Sequence, residues 1–349
     1  MLGRRRTGDE TYVEQLLRVL PAVADDLRFA AVTRRPDLVP EGVEPIHLPA
    51  RVQELRMAWR LPRLLRRIRP ALGHFLHSLP LACPVPAVVT IQDLSWERDP
   101  SVMGRADRLT FKLVVPRAVR LAAKVLAISE RTRDDLVELY RIAPEQVVVT
   151  PLGCDPAFRP AAQRPVRDSG PVEGVRGNRE VPPTNDAAHD GYLLFVGAIE
   201  PRKDPLAAAD AAEAVGMHLV VVGPTKDEAL AAELRRHGAE LRGYVPKEEL
   251  VRLYQRAALL VFPTRYEGFG LPLLEAMASG TPVVAAPDAA LREVAGDAAV
   301  FTRDLAEGIR RALAERDLLA TAAIERARAF SWERTARRTV DVYREVIGS

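Results

Sequence analysis

The chain has 349 residues, more than one hydrophobic core usually holds, so two domains are expected. Its composition, 48% hydrophobic and 28% charged, is that of an ordinary globular protein, and a formal net charge of +3 gives no reason to expect nucleic acid as a partner. No stretch approaches the roughly 18 uninterrupted apolar residues of a spanning helix, and no apolar core follows the charges of Met1-Leu2-Gly3-Arg4-Arg5-Arg6, so neither a membrane span nor a signal peptide is expected.

In the first half, short apolar strands are predicted at Arg28 to Thr33, His74 to Leu76, Ala87 to Ile91, Lys124 to Ile128 and Val147 to Thr150, alternating with longer amphipathic segments. Between Arg51 and Arg69 stand seven arginines and one acid, Glu54, interleaved with Leu55, Trp59, Leu61, Leu64, Leu65 and Ile68. This fits either a basic amphipathic helix making peripheral contact with an anionic membrane, or a solvated helix face with a buried apolar stripe. Cys83 and Cys154 match no metal or redox spacing, and a reduced cytoplasmic compartment is expected, at the inner face of the membrane if the arginine-rich segment binds lipid. Residues 159–190 are rich in Pro, Gly, Asn, Asp and Arg without periodicity and read as a solvated, disordered linker.

In the second half the strands are Tyr192 to Val196, His218 to Val222, Glu240 to Arg242, Leu259 to Phe262 and Val283 to Ala285, and a final helix covers Trp332 to Val346. The expected organisation is an N-terminal domain over 1–158, the linker over 159–190, a C-terminal domain over 191–331 and a terminal helix over 332–349. Strand and helix alternate throughout, the pattern of parallel α/β domains with helices on both faces. Two such domains would face each other across a cleft.

The most informative segment is Tyr266-Glu267-Gly268-Phe269-Gly270-Leu271-Pro272-Leu273-Leu274-Glu275. It reads as strand, glycine loop and helix, with Pro272 at the first helical position and Ser279-Gly280 at the end. Gly268 and Gly270 would let the backbone take positive φ and approach a ligand, and the amides of Phe269 to Leu271 would favour an anion at the helix N-terminus. The flanking carboxylates Glu267 and Glu275 do not bind phosphate but accept from hydroxyls on either side of it. A diphosphate between two polyols is a nucleotide sugar.

With these residues the chain resembles the retaining glycosyltransferases of family four, whose E-x7-E motif Glu267 and Glu275 reproduce around Gly268-Phe269-Gly270-Leu271-Pro272. The resemblance extends to Phe195-Val196-Gly197 with Arg202-Lys203, to Gly243-Tyr244-Val245, to Thr281-Pro282-Val283-Val284 and, in the first half, to Thr90-Ile91-Gln92-Asp93-Leu94, Ile128-Ser129-Glu130 and Pro151-Leu152-Gly153-Cys154-Asp155. It implies the GT-B fold, two Rossmann-like doubly wound parallel-sheet domains facing across a cleft, with the last helix returning to the first domain. It implies that Gly197, Arg202, Lys203 and the loop Gly268 to Leu271 hold the donor diphosphate, that Glu275 binds the ribose, that Glu267 contacts the transferred sugar and that the base lies near Tyr244 and Val245. Taken alone, Tyr244 reads equally as an edge-of-core side chain, and Arg202-Lys203 as a solvated turn with Asp204-Pro205 as N-cap and first helical residue.

On the acceptor side the resemblance implies Gly8, Gln92 and Asp93, with Gln92 where many relatives have a His. Gln keeps a hydrogen bond but not the proton traffic. Asp93 reads as an acceptor-orienting residue or as a helix N-cap, Ser129 as an N-cap facing the cleft, and His74 or His77 as cleft-lining or satisfied structural residues. The family opens with a strand before its first glycine loop, whereas only Met1-Leu2 precede Gly3, so a missing first strand is expected, through a start upstream of Met1 or a defective domain. No Asp-x-Asp and no G-x-G-x-x-G after a strand occur, so neither a metal-held diphosphate nor a nicotinamide cofactor is expected. The implied activity is transfer of a hexose, mannose or glucose, from a nucleoside-diphosphate sugar to a glycan, lipid-linked or small-molecule acceptor, with Glu267, Arg202, Lys203 and Asp93 as the acting residues. The rivals are an inactive sugar-nucleotide-binding protein and an isomerase of the nucleotide sugar.

Overall fold

The computed structural model describes residues 7–49, 56–99, 104–161 and 191–348. Among them the strands are β1 (Phe29–Thr33), β2 (Val43–His47), β3 (Gly73–Leu76), β4 (Ala87–Ile91), β5 (Lys124–Ala127), β6 (Val147–Val149), β7 (Leu193–Val196), β8 (Leu219–Val222), β9 (Glu240–Gly243), β10 (Leu259–Phe262), β11 (Val283–Ala285) and β12 (Val300–Phe301). Every strand pairing is parallel. In β10 all four residues, Leu259 to Phe262, are fully buried, because helices cover both faces of the sheet and no alternation of polar and apolar positions is needed.

The second sheet runs β12-β11-β10-β7-β8-β9. Its strand order reverses between β7 and β10, and in an open α/β sheet the loops at the carboxyl ends of such a pair are where ligands bind. The first half carries a four-stranded sheet, β3-β4-β5-β6, and a separate pair, β1-β2. Among the described residues no strand precedes the helix Thr7–Val23, and no strand joins the β1-β2 pair to the β3-β4-β5-β6 sheet. Residues 1–6, on which the expectation of a missing strand bears, lie outside the described residues, as do 162–190 of the linker.

The sequence reading missed β2 and β12. Pro45 and Glu44 disguise the first, and the second has only two residues. The helix Trp332–Gly348 packs on the N-terminal domain: the Thr335 hydroxyl donates to the Pro151 carbonyl at 2.6 Å, and Arg344 pairs with Asp26 at 2.8 Å. Trp332, Val340 and Tyr343 are buried there. A Cβ on Gly153 would strike the backbone of Trp332, so the chain's passage toward the linker is built for close contact with this helix.

In the arginine-rich region, the helix Leu61–Ile68 turns Leu61, Leu64 and Leu65 inward against Val32, Ile46 and Phe75. Arg60, Arg63, Arg66, Arg67 and Arg69 stay exposed, and the Arg63 guanidinium stacks on the exposed Trp59 ring at 5.3 Å. This is a solvated face over a buried stripe. Residues 51–55 of the same segment lie outside the described residues. No helix among the described residues is long and apolar enough to cross a membrane.

Candidate active site

The carboxyl end of β7 leads through Gly197 to a 3-10 turn, Pro201–Lys203, and then to the helix Pro205–Val215. Gly197 donates its amide to Val222 of β8 at 2.9 Å, which fixes the loop's departure from the sheet. Arg202 donates to the Tyr266 carbonyl at 2.7 Å and to the Glu200 carboxylate at 2.8 Å, while Lys203 pairs with Glu267. Glu200 also accepts from Lys226 at 2.6 Å. Burial opposes the charge of Glu200, but Lys226 and Arg202 outweigh it and hold the carboxyl below its ordinary range. Burial likewise works against the Arg202 charge, and Glu267 and Glu200 more than restore it. Lys203 is shifted down, first by burial and also by Arg202, with Glu267 pulling the other way. Asp204 stands at the N-cap position with left-handed backbone, φ 49°, but its side chain does not cap the helix; it pairs with Arg265.

The neighbouring strand β10 feeds the loop 263–270 and the helix Leu271–Ala278, in which Pro272 is the second residue and not the first. The two glycines serve different ends. Gly270 has φ 97°, in the left-handed region, and a Cβ there would also meet Leu291. Gly268 is not left-handed; a Cβ on it would collide with the Gln92 carbonyl oxygen and the Asp93 side chain. Its requirement is close approach to the opposite domain. Phe269 is core, edge-on to Phe330 at 5.8 Å, and Leu271 is half-buried beside it. Glu275, partly exposed, accepts from the Tyr254 hydroxyl at 3.0 Å, and burial raises its carboxyl to about 8. Of the two residues expected near a base, Val245 is buried in the core and Tyr244 is 66% exposed.

The first domain meets this loop with the carboxyl ends of β4 and β5. Ser129 caps the helix Glu130–Tyr140, accepting from the Thr132 amide, and its hydroxyl donates to the Gly268 carbonyl at 2.6 Å. Tyr266 donates its hydroxyl to Asp135 at 2.6 Å and accepts from the Leu94 amide, and the Arg131 guanidinium lies over its ring at 4.6 Å. Asp135 is almost completely buried and is also held by Arg98 at 2.5 Å. Asp93 caps the turn at Ser95, accepting from its amide and hydroxyl, and still lies close enough to add to the Arg202 charge. Gln92 is buried with its Nε2 lacking a partner among the described residues, and Gly8 approaches its Oε1.

Of its two readings His74 takes the structural one and not the acceptor-side place: Nδ1 bonds the Tyr343 hydroxyl at 2.5 Å and Nε2 the Thr90 hydroxyl at 2.7 Å, while Tyr12 also bonds Thr90. Burial lowers its pKa to about 4, so the ring is neutral and tied to the returning helix. Glu200, Lys226 and Asp135 escaped the sequence reading. Glu200 stands two residues before Arg202, a signal that could have been used; nothing local ties Lys226 or Asp135 to the site. Among the described residues no group of three His, Cys, Asp or Glu side chains is arranged to hold a metal ion.

With the geometry established, two family descriptions match the chain: Glycosyltransferase Family 4 over residues 6–158 and Glycosyl transferases group 1 over residues 179–330. The chain is similar to O-antigen chain mannosyltransferase B of Escherichia coli, 28% identical over 91% of this chain and 83% of that one. It is 36% identical to D-inositol 3-phosphate glycosyltransferase of Nocardioides over 65% of this chain, a match that spans 55% of that relative's length. Among solved structures, sucrose-phosphate synthase from Thermosynechococcus elongatus superposes with a TM-score of 0.73 at 20% identity, covering 98% of this chain and 94% of that one. The HepE protein of Anabaena, in complex with UDP and glucose, gives 0.71 at 15% identity over 97% and 96%. These structures share the GT-B fold. The two family matches together take in both sheets and the cleft between them, and the chain belongs to the group 1 glycosyltransferases, as a hexosyltransferase of the GT-B fold.

Proposed function

We propose that this enzyme transfers a hexose, mannose from GDP-mannose or glucose from UDP-glucose, to a hydroxyl of a glycan, lipid-linked or small-molecule acceptor, with retention of the α-configuration. The observation that carries this reading is the joining of Arg202, Lys203 and Glu267 at the β7/β10 switch point, directly opposite Gln92 and Asp93. Arg202, Lys203 and the amides of the glycine loop stabilise the diphosphate as it leaves, in a site where burial strengthens each charge–charge contact. Glu267 faces the oxocarbenium-like sugar, and Glu275 accepts from the ribose hydroxyls. A phosphate oxygen of the donor takes the acceptor proton, so Gln92 is compatible with turnover. The protein's own cations supply the positive charge, and no metal is required.

That the Escherichia coli relative is a mannosyltransferase supports mannose, and the UDP and glucose bound by the Anabaena protein support glucose. Should the acceptor be lipid-linked, the exposed Trp59 and the arginines around it supply a peripheral contact with an anionic membrane. The test is incubation with labelled GDP-mannose and UDP-glucose, with and without acceptor and with excess EDTA. Transfer or slow hydrolysis that survives EDTA is expected. Binding without turnover would favour a sugar-nucleotide-binding protein, epimerisation an isomerase, and loss of activity in EDTA a metal-dependent reaction.

A further inference from the structure

Glu200 is a carboxylate at the start of the turn that carries Arg202 and Lys203, where it opposes any anion the turn binds. Its backbone is fixed from two directions. Its carbonyl accepts from the Lys203 amide at 3.1 Å, which closes the turn. The preceding residue, Ile199, is stitched to the loop after β8: its amide donates to the Pro224 carbonyl at 2.9 Å, and its carbonyl accepts from the amides of Lys226 and Asp227 at 3.2 and 3.1 Å. These bonds bring Lys226 to Glu200 from the adjacent strand end. Glu200 is 7% exposed and divides its oxygens, Oε1 accepting from Arg202 Nη2 at 2.8 Å and Oε2 from Lys226 Nζ at 2.6 Å. Arg202 Nη1 donates to the Tyr266 carbonyl at 2.7 Å. Two anchors on separate nitrogens fix the plane of the guanidinium, and each of those nitrogens keeps a second N–H. A buried carboxylate with Arg202 as its single cationic partner would instead hold that charge for itself.

We propose that Glu200 is the positioning residue for Arg202 and that Lys226 neutralises Glu200, so that Arg202 is oriented while its charge stays available to the donor diphosphate. The inference rests on the reading of Arg202 as a diphosphate ligand, and adds that its aim and its strength are set by two residues that do not touch the donor. Glu200 supplies the aim, since an unheld arginine side chain spreads over many rotamers. Lys226 acts through charge alone. Its side chain is 60% exposed, so its removal opens no cavity, but it leaves Glu200 competing with the diphosphate for Arg202.

The variants are Lys226→Ala, Glu200→Gln, the two combined, and Glu200→Ala. Dissociation constants of GDP and UDP, hydrolysis of GDP-mannose and UDP-glucose, and thermal midpoints are measured for each. Lys226→Ala should weaken nucleotide binding about tenfold, and Glu200→Gln should abolish that loss, so that the double variant binds as Glu200→Gln alone does. Native affinity in Lys226→Ala overturns the proposal, and so does a loss that persists in the double variant, which would make Lys226 a direct ligand. Glu200→Gln keeps an oxygen for Arg202 and should hydrolyse the donor within about threefold of the wild-type kcat, whereas Glu200→Ala should lose about tenfold in kcat with a smaller change in KM. Equal kcat in these two variants overturns the positioning role. Lys226→Ala should keep the native thermal midpoint and decides the question even if Glu200→Ala unfolds. A wild type that binds neither GDP nor UDP, or unchanged nucleotide binding and turnover in Arg202→Ala, would instead overturn the diphosphate reading on which the inference rests.

Discussion

Nucleotide affinity should depend on pH through Glu275. Its carboxyl, beside the Tyr254 hydroxyl, is raised to about 8 by burial, with Asp155 adding to the shift and Lys247 opposing it. If the carboxylate accepts from two ribose hydroxyls, the complex needs the ionised form. At pH 7 a carboxyl with that pKa is mostly protonated, and shedding the proton costs about 1.4 kcal/mol, roughly tenfold in affinity; near pH 9 the cost vanishes. Lys203 confuses a simple profile, because burial has moved its titration down and its lost charge weakens the diphosphate contact as pH rises. Glu275→Gln retains the lysine effect and lacks the carboxylate. Calorimetry with GDP and UDP should therefore show the ratio of mutant to wild-type dissociation constants growing about tenfold from pH 7 to pH 9, with close to one proton released per wild-type binding event at pH 7. A ratio that does not vary with pH, or binding without proton release, would refute the assignment. The free protein gives a check of opposite appearance. A folded-state pKa above the unfolded value of 4.5 means that the native state binds the extra proton, so stability falls as pH rises from about 4.5 to about 8. Glu275→Gln should flatten that part of the melting curve.

Arg202→Ala removes charge-assisted contacts to the leaving diphosphate and should lower kcat by roughly ten- to hundredfold, about 1.5–3 kcal/mol, with the fold retained; wild-type turnover would sink its role. Gly268→Ala drives a Cβ into the Gln92 carbonyl and should cost about 1–3 kcal/mol of overpacking while forcing the domains apart, read as a lower thermal midpoint together with reduced transfer. A variant with native melting and rate would mean the cleft is normally wider than this. Tyr266→Phe leaves the Leu94 amide without its acceptor and removes one of the hydrogen bonds to buried Asp135, and should destabilise by about 1–3 kcal/mol in a denaturant titration, with Arg98 and Arg131 still holding Asp135.

The buried strands of the two larger sheets, the two-residue β12 excepted, are legible because a buried parallel strand announces itself locally: Leu259 to Phe262 and Val283 to Ala285 are apolar runs whose burial on both faces follows from their composition. The glycine loop and its two carboxylates were legible for the same reason, since backbone freedom, the helix start and residue chemistry all lie within ten consecutive positions. What the loop's glycines are for was only half legible. Gly270 needs its left-handed backbone, a property of its own residue, whereas Gly268 is required by the Gln92 carbonyl, 176 positions earlier in the chain. The same division runs through the charges. Arg202 and Lys203 were readable as a cationic turn, but their partners Glu200, Glu267 and, through Glu200, Lys226 are assembled by adjacent strand ends. His74 at a strand end is compatible with a cleft-lining or a structural place, and only the returning helix, carrying Tyr343, decides for the second. Periodicity and propensity act over a few residues and are written in the order of the chain. Which carboxylate meets which cation, and which hydroxyls a histidine bonds, depends on how two sheets and a terminal helix are brought together in space.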